Sequence, residues 1–154
     1  MQVNDISYNA LVLWQLWFNV LREGKMHDAR SVENILESII HDEFPKGGGI
    51  QTISIVSKTG LMIAGRSASA ARAETFSAMA AIMFSAAEAT KQDIFKDRIE
   101  HVLAVFHNTK LFIAELSSSM LIVATVDREM DDQRVLESMN RIVIMTREEL
   151  PWLR

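Results

Sequence analysis

The chain has 154 residues, 49% of them apolar and 23% charged, which fits one globular domain with a sizeable core and not a disordered polymer. A net charge of −4, with no cluster of Lys and Arg interleaved with aromatics, gives no reason to expect nucleic acid as a partner. Cysteine is absent, so disulfides and thiolate metal sites are excluded and a reducing compartment is permitted.

Taken in chain order, the first segment is the most apolar. In ALVLWQLWFNVLR (Ala10 to Arg22), a helical wheel places Tyr8, Val12, Gln15, Asn19 and Arg22 on one narrow side, and Leu, Trp, Phe and Val fill the rest. Its unbroken stretch of about twelve residues reaches roughly 18 Å as a helix, short of the roughly 20 residues that a membrane span needs. Asp5 precedes it and no small-residue cleavage site follows, so a signal peptide fits poorly. Three readings stay open: an extra helix packed on the domain or on a partner, an interfacial membrane contact through residues 6–22 that lacks a cationic polar face, or translation that begins at Met26. Residues 1–26 are therefore set apart as an N-terminal apolar helical extension, and 27–154 as the domain proper.

From His27 onward the period of the apolar residues changes from element to element. SVENILESIIHDEF carries Val32, Ile35, Leu36, Ile39 and Ile40 on one stripe, with Asp28 or Ser31 as cap, and Pro45 with Gly47 to Gly49 as its end. Two strands are expected next, Ile50 to Val56 and Leu61 to Arg66, joined by the turn Ser57-Lys58-Thr59-Gly60. A long helix follows from about Ala73 to Lys91, then a polar connector from Gln92 to Asp97. Three strands come next, Arg98 to Phe106, Lys110 to Leu116 and Met120 to Val126, with short polar connections that favour antiparallel neighbours. Asp127, Asp131 and Asp132 suit the N-terminus of a last helix, which Pro151 closes. The expected fold is α/β, a five-stranded antiparallel sheet flanked by helices in the order α-β-β-α-β-β-β-α, with the N-terminal helix added.

The central helix has too little polar surface for a solvated element. With Phe76 at zero, the residues Phe76, Met79, Ala80, Met83, Ala87 and Thr90 span about 300° to 40° and read as the sheet-facing stripe. Glu74, Ser77, Ala81, Ser85, Glu88 and Gln92 read as the wet side, at about 100° to 180°. The remaining arc holds Thr75, Ala78, Ile82, Ala86 and Ala89, small and uncharged where a solvated face carries Lys and Glu. Small side chains allow close approach of a second helix, either from the same chain or from a partner.

The succession ISIVSKTGLMIAGR, AETFSAMAAIMFSAAEATKQ, three strands and a terminal helix resembles the roadblock/dynein light chain family over roughly Asp28 to Glu149. The order and spacing of the elements carry the likeness, and no single residue is diagnostic. The resemblance implies dimers built by pairing the central helices and joining the third strands edge to edge. Here that implies an interface of Thr75, Ala78, Ile82, Ala86 and Ala89 with Ile99, His101, Leu103 and Val105 of the third strand. It also implies a small Ras-like GTPase as partner, seated on the paired helices through Arg72, Glu74, Ser77, Phe84, Ser85 and Glu88. On the wheel Phe84 is either an exposed anchor or a side chain packed against a loop of its own chain, and both readings stay open.

Catalytic and cofactor motifs are thin. There is no G-x-S-x-G, H-E-x-x-H or G-x-x-x-x-G-K-[ST], and KGGGI (Lys46 to Ile50) leads into a strand instead of a helix. His27, His41, His101 and His107 are scattered, and DREMDDQR lacks the Gly and Glu of a calcium loop, so no metal, cofactor or catalytic residue is expected. Arg66 and Arg72 border the helix start, and neither is assigned as a finger. The implied function is a non-enzymatic homodimeric scaffold that binds a small Ras-like GTPase and modulates its nucleotide cycle. It would be cytoplasmic, with membrane contact left to residues 6–22. The alternative is a light-chain-like adaptor that binds a peptide or tethers cargo without a GTPase, and a small-ligand sensor ranks last.

Overall fold

The computed structural model describes residues 32–44, 49–65 and 70–153. The extension 1–26, the cap residues Asp28 and Ser31, and Pro45 to Lys46 with Gly47 and Gly48 lie outside them. Helix α1 covers residues 32–43. Strands β1 (Ile50–Ser57) and β2 (Met62–Gly65) precede helix α2 (Ala70–Thr90), and β3 (His101–Val105), β4 (Thr109–Glu115) and β5 (Met120–Asp127) precede helix α3 (Asp132–Glu149). The strands form one antiparallel sheet in the order β2-β1-β5-β4-β3, so β2 and β3 are its edges. The expected order and fold class hold.

Alternation along the strands builds two different cores. Ile53, Ile55, Phe112, Ala114, Ile122, Ala124 and Val126 face α1 and α3, which contribute Val32, Leu36, Ile39, Val135, Met139 and Ile142. Val56, Leu111, Ile113, Leu121 and Val123 face the opposite way, toward Ala80 and Phe84 of α2. Each fully buried Ile, Val or Phe contributes about 1.5–3 kcal/mol, so these layers supply most of the stabilisation. Among the described residues, one sheet face is thus covered by two helices and the other by α2 alone.

Polar contacts fix the layers relative to one another. Arg141 of α3 donates to Glu43 at the end of α1, with Nε 2.8 Å from Oε1. Arg147 Nε donates to the Leu116 carbonyl at 2.8 Å and Nη2 to that of Glu115 at 2.9 Å. Asp131 caps α3 by accepting from the Arg134 N–H, as the run of carboxylates suggested. Lys110, buried in β4, donates to the Met130 carbonyl and to Asp132.

Element ends differ from expectation in informative ways. Strand β3 is shorter than Arg98 to Phe106, so Ile99 lies ahead of it. Helix α2 begins earlier than Ala73, and the expected connector continues it as a π-helical turn over Lys91–Phe95. Lys96 adopts φ 51° and donates its N–H to the Lys91 carbonyl at 2.7 Å, a left-handed stop that ends the turn without glycine. In β2, Gly65 adopts φ 135°, and a Cβ there would run into the Ser54 side chain on the neighbouring strand, so the position requires glycine.

Candidate functional site

The face that α2 turns to the sheet is not the one expected. Ser77, Ala80, Ala81 and Phe84 are buried, whereas Met79 is 54% exposed and Thr90 is exposed too. The helix is rotated by about a quarter turn from the stripe built on Phe76 and Met79. Alanine and serine occupy most of its circumference, so only Phe76, Met79, Ile82, Met83 and Phe84 are large enough to orient it. The sheet takes Phe84 whole and part of Phe76 and Met83, because aromatic rings bury the most area.

That rotation corrects two of the residues assigned to a GTPase surface. Phe84 is fully buried, and its ring lies 5.4 Å beneath the ammonium of Lys58 in the β1–β2 turn. The reading in which it packs against a loop of its own chain is the one realised. Ser77 is fully buried as well, because it shares that inward arc. Arg72, Glu74 and Ser85 are exposed, and Glu88 is half-buried.

In the sequence Lys58 is only a turn residue, and the structure makes it the hub of this end of the molecule. Its Nζ donates to Glu115 Oε2 at 2.8 Å and to Glu88 Oε1 at 3.2 Å, which joins the turn, the end of β4 and α2. Burial pulls the ammonium down, but the hydrogen bonds to Glu115 and Glu88 outweigh it and hold Lys58 above its ordinary value. A Lys in a four-residue turn carried no signal of this, since both carboxylates come from distant parts of the chain.

Thr75, Ala78, Ile82, Ala86 and Ala89 are all exposed, Ile82 at 61%. The β1–β2 turn passes close to the helix here: a Cβ on Gly60 would stand 3.2 Å from the Ala78 Cα, which explains the glycine. The two flanks of α2 therefore differ. On one side a groove runs between the helix and the β1–β2 turn, lined by Lys58, Thr59, Ala78, Ile82 and Ser85. On the other, Ala87, Thr90, Phe95, Arg98 and Ile99 line a second groove beside the start of β3.

Beyond that second groove β3 is an edge, unpaired on its outer side among the described residues. His101 and Leu103 are half-buried and Val105 is half exposed. His101 stacks on Phe112, with ring centroids 5.4 Å apart. Leu103 packs on the α1/α3 side while Ile99 packs on the α2 side, so the four assigned interface residues do not share one face. Residues 98–100 lie outside the strand, and its alternation does not extend back to them. Ile94 and Phe95 also stand exposed, an apolar pair between Asp93 and Lys96 that the polar reading of the connector passed over.

Among the described residues no group of three His, Asp or Glu side chains is placed to hold a metal ion, and no helix is long and apolar enough to cross a membrane. Among the described residues, a sheet with two helices on one face, one alanine-rich helix on the other and an unpaired outer strand has the architecture of a roadblock domain. The family model of the Roadblock/LC7 domain matches residues 38–125, more than half of the chain, and the chain belongs to that family. No curated protein matches it in sequence.

Solved structures similar to it include a Roadblock/LC7 domain from Streptomyces avermitilis, with TM-score 0.66 and 16% identity over 77% of this chain and 96% of that one. Myxococcus xanthus MglB matches with TM-score 0.66 and 11% identity, over 82% of this chain and 92% of that one. An MglB with tetrameric arrangement matches with TM-score 0.62 and 13% identity, over 77% and 93%. At these identities the likeness is one of fold.

Proposed function

We propose that this chain is a non-enzymatic homodimeric scaffold that binds a small Ras-like GTPase and modulates its nucleotide cycle. The observation that carries the reading is the outer face of α2, which exposes Met79 and Ile82 among alanines beside an unpaired strand edge. A contiguous apolar face on a small domain marks an interaction surface, and a two-fold contact lets the same patch cover itself. Membership of the Roadblock/LC7 family supports the GTPase, and the tetrameric arrangement of one MglB supports self-association.

On this reading the copies meet along Thr75, Met79, Ile82, Ala86 and β3. The GTPase rests beside that seam, on Thr59 and Ser85 of the turn-side groove and on Glu74, with Arg72 at the start of α2 where the two surfaces adjoin. Phe84 and Ser77 act from beneath by fixing the height of the helix. Arg72 and the platform would work by ordering the GTPase's own loops.

The test is binding of the purified chain to a small Ras-like GTPase loaded with a non-hydrolysable GTP analogue or with GDP, followed by hydrolysis rates with and without the chain. Tighter binding to the triphosphate form and a changed hydrolysis or exchange rate are expected. Equal binding to both forms with unchanged rates would favour the peptide-binding adaptor.

A further inference from the structure

Strand β3 shows which register a second copy must take. Phe106 donates its N–H to the Thr109 carbonyl at 2.8 Å, so its backbone groups point toward β4. Along an antiparallel strand these directions alternate. Ala104 and Val102 therefore also bond inward, and His101, Leu103 and Val105 aim their N–H and C=O groups at the open edge. A two-fold antiparallel pair uses all three only when it is centred on Leu103, with Leu103 against Leu103 and His101 against Val105. A centre one residue away leaves edge groups unmatched.

That register has a consequence at the strand ends. It sets Phe106 of one copy opposite Glu100 of the other, alongside residues 98–100. Leu103 faces the α1/α3 core and Ala104 the α2 core, so alternation carries Phe106 to the α2 side of the extended sheet. The groove lined by Phe95, Ile99, Thr90 and Ala87 lies on that same side and opens there. Phe106 is 50% exposed and Phe95 72% exposed within one copy.

We infer that a second copy of this chain pairs with β3 in the Leu103-centred register and seats its Phe106 in the groove between Phe95 and Ile99, twice per dimer. The inference rests on the dimer reading above and adds its register and its anchor. An exposed aromatic just past the end of the edge strand and another in the turn that leads toward its start are what a two-fold antiparallel pair brings together, and each groove stays incomplete without the other copy's ring. A ring in an apolar groove beside a hydrogen-bonded edge is the usual form of an interface hot spot.

The experiment uses the full chain and two readouts. Light scattering across a dilution series should give a dimer whose dissociation constant rises about tenfold or more in Phe106→Ser, and stays unchanged in Ile144→Ser on the exposed side of α3. The second readout exploits the absence of native cysteine. His101→Cys and Val105→Cys chains, mixed and oxidised, should form a covalent dimer, while neither should do so alone, because directly opposed hydrogen-bonded positions within the paired strands bring Cα atoms to about 5.5 Å. A dimer that resists Phe106→Ser, or one that gives no mixed disulfide, overturns the register and leaves the dimer standing. A wild-type chain that is monomeric throughout overturns the dimer reading itself.

Discussion

Gly60 passes so close to Ala78 that an added Cβ would lie 3.2 Å from the Ala78 Cα and 3.6 Å from its Cβ. The turn and the helix are locked together there, and Gly60 holds φ 94°, a conformation that L side chains rarely adopt. The exposed stripe on α2 thus has two neighbourhoods: the turn beside Ala78, and an open face at Ala86 and Ile82.

The two alanines can be separated by mutation. Ala86→Lys should leave the thermal midpoint nearly unchanged and convert the dimer to a monomer in light scattering. Ala78→Lys should lower the midpoint itself, because the side chain must displace the β1–β2 turn, and Gly60→Ala should cost about 1–3 kcal/mol through backbone strain in chemical denaturation. A monomer from Ala78→Lys with an unshifted midpoint would contradict the intrachain contact.

Phe84 is a core residue beneath a cation, so Phe84→Ala should destabilise by about 3–5 kcal/mol in urea titration. The same substitution at an exposed anchor would leave folding stability within about 0.5 kcal/mol. The size of the stability loss therefore decides between the two readings of this ring.

Acid should loosen the α1–α3 contact. The hydrogen bond from Arg141 holds the Glu43 carboxyl below its ordinary value of 4.5, against the opposing pull of burial. The folded chain binds that proton less tightly than the unfolded one, so the stabilisation is complete above pH 4.5 and is lost as pH falls through the lower folded value. Glu43→Gln should flatten this part of the stability–pH curve in denaturant melts.

Alkali should act at the opposite end of the molecule. Because Lys58 is held above its ordinary value of 10.5, its contribution is complete below that pH and fades as pH rises through the higher folded value. Lys58→Met keeps much of the packing over Phe84 and should remove that alkaline dependence. An unaltered alkaline limb in the variant would show that Glu88 and Glu115 do not stabilise the ammonium.

Asp131 completes the set. Asp131→Ala removes the acceptor for the Arg134 N–H and should cost about 1 kcal/mol, measured as a shift in the denaturation midpoint with unchanged slope.

The element order, the antiparallel sheet, the turn at Gly60 and the cap at Asp131 were all readable along the chain. Each depends on neighbours within a few residues, where side-chain period, backbone freedom and hydrogen-bonding reach act directly. The uncovered character of α2 was readable too, since a run such as AMAAIMFSAA lacks the charges of a solvated helix whichever way it turns.

Its orientation was not. Five large side chains spread around an alanine-rich cylinder permit several rotations, and the choice fell to the sheet that receives Phe84 and to Lys58, whose partners Glu88 and Glu115 lie far along the chain. The grouping of Phe95 with Ile99 beside a free edge was likewise set by how the strands are ordered, because β3 becomes an edge only once β5 has inserted between β1 and β4. Local chemistry chose the elements, and long-range packing chose which of their faces remain outside.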